Sequence, residues 1–235
     1  MMGLGTITNS LAIVGGCLIG LVIKDRMTEK ISDTIMNGLA LCVIYLGIAG
    51  ALEGENALIC IVSIAIGGLI GELIDIDKRI INLGDKIENK FKKKDTKEEE
   101  FKVSISEGFV TSSLLFCVGA MAIVGSLQSG LSGNNETLFA KSIIDGVAAI
   151  IFSASLGIGV MFSAVAVFIY QGTITLGATV LSSVLSTSVI NAMSATGSLL
   201  IIGIGLNTLK STKIRVANLL PAIFLPIILG ILGII

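Results

Sequence analysis

Hydrophobic positions in this chain come in long unbroken blocks, not in alternation. Apolar runs cover 3–23, 31–52, 56–74, 103–128, 138–209 and 216–235, separated by short polar links. A helix needs about 20 apolar residues to cross the hydrocarbon core of a bilayer. Strands of a membrane barrel would instead alternate apolar and polar residues. The pattern therefore predicts an all-α fold: a polytopic transmembrane helix bundle of about seven to eight spanning helices. The block 138–209 is too long for one helix and long enough for three, with natural breaks at 155–159 and 171–172. Residues 173–185 are short of apolar length and rich in Gly, Ser and Thr, so a broken or re-entrant segment is expected near 172–186. Such backbone survives at membrane depth only where protein or water covers it. The last run holds both prolines, Pro221 and Pro226, and is expected to kink.

One stretch breaks the pattern. Residues 77–102, DKRIINLGDKIENKFKKKDTKEEEFK, carry nine of the sixteen basic residues. Ile80, Ile81, Leu83, Ile87 and Phe91 recur at helical spacing, so its first part predicts an amphipathic helix lying at the headgroup level. The run KKKDTKEEE that follows predicts a solvated loop. The chain thus reads as one integral membrane domain, 1–235, with a charged amphipathic cytoplasmic loop at 77–102. Placing 24–30, 75–102 and 210–215 inside the cell collects fifteen of the sixteen Lys and Arg residues there and leaves only Lys141. By the positive-inside rule this puts both termini outside, with an even number of crossings. Lys141 then falls near the outer interface, where it can snorkel. Glu72 and Asp75, at the end of the third run, read as solvated interfacial carboxylates.

Composition agrees with the pattern: 53% of residues are hydrophobic and 14% charged, against roughly 25% charged in an ordinary soluble domain. The chain has no histidine, so imidazole ligands and histidine proton shuttles are excluded. Four cysteines lie inside apolar runs without a CxxC pair, reading as small core residues. No HExxH, GxSxG, P-loop or dinucleotide fingerprint occurs, so neither an enzyme nor a cofactor is expected. Nothing points to nucleic acid. The expected partners are the lipid bilayer and a small ion or solute. Small-residue faces such as Gly16-x-x-x-Gly20 fit a homodimer or a crowded monomer bundle alike.

Ionisable and amide side chains inside apolar helices are costly and mark functional sites by default. Asp145 is the central candidate, with Lys141 one turn before it on the same face. Gln128, Asn9, Ser126 and Asn37 complete the set of pathway candidates, and Asn, Gln and Ser oxygens suit a hard cation. Their structural alternatives are a salt-bridged carboxylate for Asp145 and interhelical hydrogen bonds for the amides. A short echo, GTIT at 5–8 and again at 172–175, hints at an internal repeat.

Four stretches carry a resemblance: GTITNSLAIVGGCLIGLVIKDR, ISDTIMNGLALCVIYLGI, CVGAMAIVGSLQSGL and KSIIDGVAAIIFSASLGIGVMFSA. Together they resemble DUF554, a family of bacterial inner-membrane proteins of unknown function, over nearly the whole chain. The resemblance implies a polytopic protein of the bacterial inner (plasma) membrane and supplies no catalytic residues. The leading expectation is a transporter or channel for a small solute or ion. The alternative is a non-transporting scaffold or sensor acting through 77–102.

Overall fold

The computed structural model describes residues 1–24, 28–91 and 105–235, all of it helices, turns and links. In chain order the helices are α1 (Leu4–Lys24), α2 (Glu29–Ala51), α3 (Ala57–Ile74), α4 (Ile76–Phe91), α5 (Ile105–Cys117), α6 (Ala120–Ser132), α7 (Glu136–Leu156), α8 (Gly159–Leu176), the single turn α9 (Ala178–Leu181) and α10 (Thr187–Thr208). A 3₁₀ helix, Val216–Phe224, and α11 (Leu225–Ile231) end the chain. Six of these helices are long and apolar enough to cross a membrane. The expected all-α polytopic bundle is what the chain forms.

Close backbone contact sets the arrangement. α1 and α7 run parallel. Along their seam Gly5 meets Leu138, Ala12 meets Gly146, and Gly20 meets Ile150 and Ser153. At Gly16 the approach is so close that any Cβ would overlap the Gly146 carbonyl oxygen. Without a hydrophobic drive between helices in lipid, this close approach is what the small residues supply. The Ser153 hydroxyl reinforces the seam by donating to the Cys17 carbonyl at 3.2 Å. α2 runs antiparallel to α10, with Gly47 against Ser198 and Ile202, and Gly205 against Ala40 and Ile44. α3 runs antiparallel to the 3₁₀ helix, Gly67 facing Ala222 and Gly71 facing Asn218. α10 is the central helix, buried over most of its length.

Two breaks interrupt the long apolar blocks. The segment 172–186 is broken as expected: α8 ends at Leu176, α9 makes one turn, and Ser186 caps α10 by accepting from the Val189 amide. The second break lies where the sequence reads as one span, 103–128. There α5 and α6 are separate helices bent by 61° around Val118 and Gly119. Gly119 has φ +124°, a conformation that side chains rarely adopt. The Val118 side chain fills the space beside Gly197 of α10.

At the chain's end Pro221 lies inside a 3₁₀ stretch and Pro226 in the first turn of α11. The expected kink is thus a change of helix type. α4 begins the predicted amphipathic segment, with Lys78 and Arg79 exposed and Ile80 half-buried. The charge run KKKDTKEEE lies outside the described residues.

Candidate functional site

The α1–α7 seam holds the charged centre. Lys141 and Asp145 are one helical turn apart on α7, on the face turned to α1. The Lys141 ammonium donates to Asp145 Oδ1 at 3.0 Å and lies 2.9 Å from Oδ2. From α1, Asn9 Nδ2 donates to Asp145 Oδ2 at 3.0 Å. Asn9, Asp145 and Lys141 are 0%, 3% and 6% exposed. Lys141 therefore does not snorkel outward. An acceptor one turn away, inside the bundle, offers its ammonium the partner that headgroup water would otherwise provide.

Beside this pair on α1, and at about its depth on α8, lie buried polar groups with no hydrogen-bond partner among the described residues. On α1 they are Thr6 Oγ1, Asn9 Oδ1 and Ser10 Oγ; on α8 they are both amide atoms of Gln171 and Thr175 Oγ1. α8 packs against both α1 and α6. The levels match. Gly5 sits beside Asn135, and Gly130 sits beside Thr175, so the start of α1 and the ends of α6 and α8 share one end of the bundle. Asn9 is four residues inward from Gly5 and Gln171 four inward from Thr175, about 6 Å in each case. The two GTIT segments both lie at this end.

Asn135 builds the end of the bundle. Its Oδ1 accepts from the Gly5 amide at 2.9 Å and from the Ser129 hydroxyl at 2.8 Å. Its Nδ2 donates to the carbonyls of Met1 at 3.0 Å and Gly133 at 2.9 Å. The α6–α7 link is thereby tied to the start of α1. Neither Asn135 nor Gln171 stands out in the sequence: Asn135 reads as part of a polar link and Gln171 as a break between spans.

The remaining candidates have other employment. Ser126 is buried and donates to the Ala122 carbonyl of its own helix at 2.7 Å. Gln128 Oε1 accepts from the Thr137 hydroxyl at 2.7 Å, joining α6 to the first turn of α7. Asn37 is exposed at the opposite end, in a shallow polar depression with Thr28, Lys30, Asp33 and Thr34. Asn9, Lys141 and Asp145 are thus brought together; Ser126 and Gln128 lie on the neighbouring helix, and Asn37 lies apart.

Glu72 and Asp75 are half-exposed at the basic end and pair with Arg215, whose guanidinium contacts Glu72 Oε1 and lies 3.6 Å from Asp75 Oδ1. Asn218 Nδ2 also donates to Glu72, at 2.7 Å. All four cysteines are free, and among the described residues no group of acidic or thiol side chains is placed to hold a metal ion.

Continuous apolar helices sealed by small residues, with an ion pair held between two of them, define a polytopic α-helical membrane protein. Residues 4–231 match the model of a family described as a protein of unknown function, DUF554, and the chain belongs to that family. It is 32% identical over 226 residues to an uncharacterised membrane protein, YdfK, of Bacillus subtilis, covering 94% of this chain and 93% of that one. It is 28% identical over 224 residues to an uncharacterised protein, YqgA, of Escherichia coli, covering 95% and 94%. No solved structure matches the chain.

Proposed function

We propose that this membrane protein moves a small ion or solute across the bilayer through the polar layer around Asp145. The observation that carries the reading is the Lys141–Asp145–Asn9 cluster, buried between two helices and bordered by unpaired amide and hydroxyl groups. Charge inside a membrane bundle is expensive and is characteristically retained on substrate and ion pathways. The available oxygens of Asn9, Thr6, Gln171 and Thr175 suit a hard cation or a hydrogen-bonding solute. Lys141 acts as a tethered cation: an incoming charge must compete with it for Asp145. The placement we propose is the bacterial inner membrane, with both termini outside and 77–102 in the cytoplasm, supported by the distribution of Lys and Arg.

The test is flux into proteoliposomes for monovalent and divalent cations, protons and small organic acids. Wild type is compared with Asp145→Asn and with the charge-neutral double variant Lys141→Met/Asp145→Asn, which controls for folding. Flux in wild type that both variants lose, with the double variant still folded, is the expected result. Flux that survives in both removes Asp145 from the pathway. An absence of flux for every solute rejects transport and favours a membrane module acting through the amphipathic α4, a second reading that its exposed Lys78 and Arg79 support.

A further inference from the structure

A cavity lies at the other end of the bundle, where the basic residues gather. It encloses about 390 Å³ between α4, α5, α10 and the 3₁₀ helix. A cavity of this size falls within the range of small-molecule sites. One side is hydrocarbon, built from Ile80, Ile81, Val110, Ile204 and Val216. The polar side presents Asp77, Glu107 and Thr111, with Ser106, Asn207 and Thr208 beside them; Asn207 is bonded to Thr212 and Ile214, and Thr208 to the Ile204 carbonyl.

The charge of this lining is the reverse of its surroundings. Lys78, Arg79 and Arg215 adjoin lining residues in sequence, yet no lysine or arginine lines the cavity among the described residues. Neither Asp77 nor Glu107 forms an ion pair with a described residue; exposed Lys210 acts on Glu107 only at longer range. Asp77 is held in place by its backbone amide, which donates to Asn218 Oδ1 at 2.7 Å. Thr111 supplies an independent sign of a ligand. It is 5% exposed, lines the cavity, and makes no hydrogen bond through its hydroxyl among the described residues, whereas Ser112 beside it is bonded to the Gly108 carbonyl at 2.5 Å.

We infer that this cavity binds a small organic cation, a primary ammonium head on a short hydrocarbon body. An ammonium has three donors and no acceptor. Asp77, Glu107 and Thr111 offer three acceptors, and the isoleucines and valines take the carbon chain. The carboxylates turn away anions, and the apolar wall disfavours a fully hydrated inorganic ion. The inference is independent of the transport reading, because the cavity shares no residue with the Asp145 layer.

The experiment is calorimetric titration of the full-length protein in detergent with n-butylammonium, against butyrate and butan-1-ol as probes of equal chain length. Butylammonium should bind, and the other two should not. Glu107→Gln and Asp77→Asn should each weaken binding by about tenfold or more, since each removes a charge-assisted hydrogen bond. Both carboxylates reach solvent, so these variants keep the fold; unchanged unfolding temperatures verify it. The charge-neutral double variant Lys141→Met/Asp145→Asn, which removes both members of the buried pair, should bind butylammonium as wild type does. No binding of butylammonium overturns the proposal. So does equal binding of butan-1-ol or butyrate, affinity unchanged in both carboxylate variants, or loss of binding in a double variant that melts as wild type does.

Discussion

Replacing Asp145 by Asn keeps the shape of the side chain and removes the charge that Lys141 faces at 2.9 Å. The ammonium then remains between α1 and α7, 6% exposed, with no carboxylate to answer it. Breaking one side of a buried ion pair costs about 3–5 kcal/mol, mostly as the penalty of the charge left behind. Lys141→Met should cost a similar amount by stranding the carboxylate. The double variant removes both charges and still leaves Asn9 an amide to bond, so it should lie within about 1 kcal/mol of wild type. For a chain of this size 3 kcal/mol corresponds to roughly 6–12 °C in unfolding temperature. The protein carries its own reporters, because Cys17 and Cys60 are buried free thiols. In a Cys42→Ser background, which removes the exposed cysteine, a thiol-reactive dye reads their exposure during a thermal ramp. Each single variant should melt roughly 6–12 °C lower, and the double variant close to wild type. A double variant as unstable as the sum of the two singles would refute the reasoning, as would a single-variant shift under about 2 °C.

Gly16→Leu should lower stability by at least about 1–3 kcal/mol, because the new Cβ collides with the Gly146 backbone and neither helix can yield. Gly15→Leu, facing open space one residue away, should change the melting temperature little. Asn135→Ala strands the Gly5 amide, and hydrogen exchange at Gly5 should quicken by about one to two orders of magnitude, the equivalent of about 1–3 kcal/mol for a buried unsatisfied group. Exchange at Gly5 unchanged from wild type would show that the link is not what anchors α1. Arg215→Ala should cost under about 1 kcal/mol and lose even that effect in high salt, since its pairs with Glu72 and Asp75 are half-exposed.

The blocks of apolar residues are enough to read the helix class, the fourth crossing excepted in detail, and the pairing of Lys141 with Asp145 follows from their spacing. The break at Val118 and Gly119 was not legible because it sits inside an apolar run. What bends the chain there is a glycine conformation and the packing of Val118 on Gly197, 79 residues downstream in sequence and invisible to local pattern. The inward turn of Lys141 is hidden in the sequence for a related reason. The charge distribution places the residue near an interface, while its rotamer answers to Asp145 alone. Asn9 stands out as an amide in an apolar helix, but its bond spans 136 residues and depends on the α1–α7 contact. Gln171 carries the same kind of signal in the sequence as Gln128, and only burial separates the two: Gln171 is fully enclosed.

The parallel course of α1 and α7 also has a parity. Two neighbouring helices that traverse a bilayer in the same sense must be joined by an odd number of traverses. Between them the chain has α2, α3 and the bent pair α5–α6, so the bent pair has to count as one full passage and not as a loop that returns to the side it left. The same count makes α8 a return, α10 a descent antiparallel to α2, and the terminal 3₁₀–α11 piece a final return antiparallel to α3, as the helix contacts have it. At about 2.0 Å per residue in the 3₁₀ part and 1.5 Å in the α part, those sixteen residues, Val216–Ile231, extend about 28 Å, close to the thickness of the hydrocarbon core. A stretch too short to cross as an α-helix gains its reach by winding more tightly.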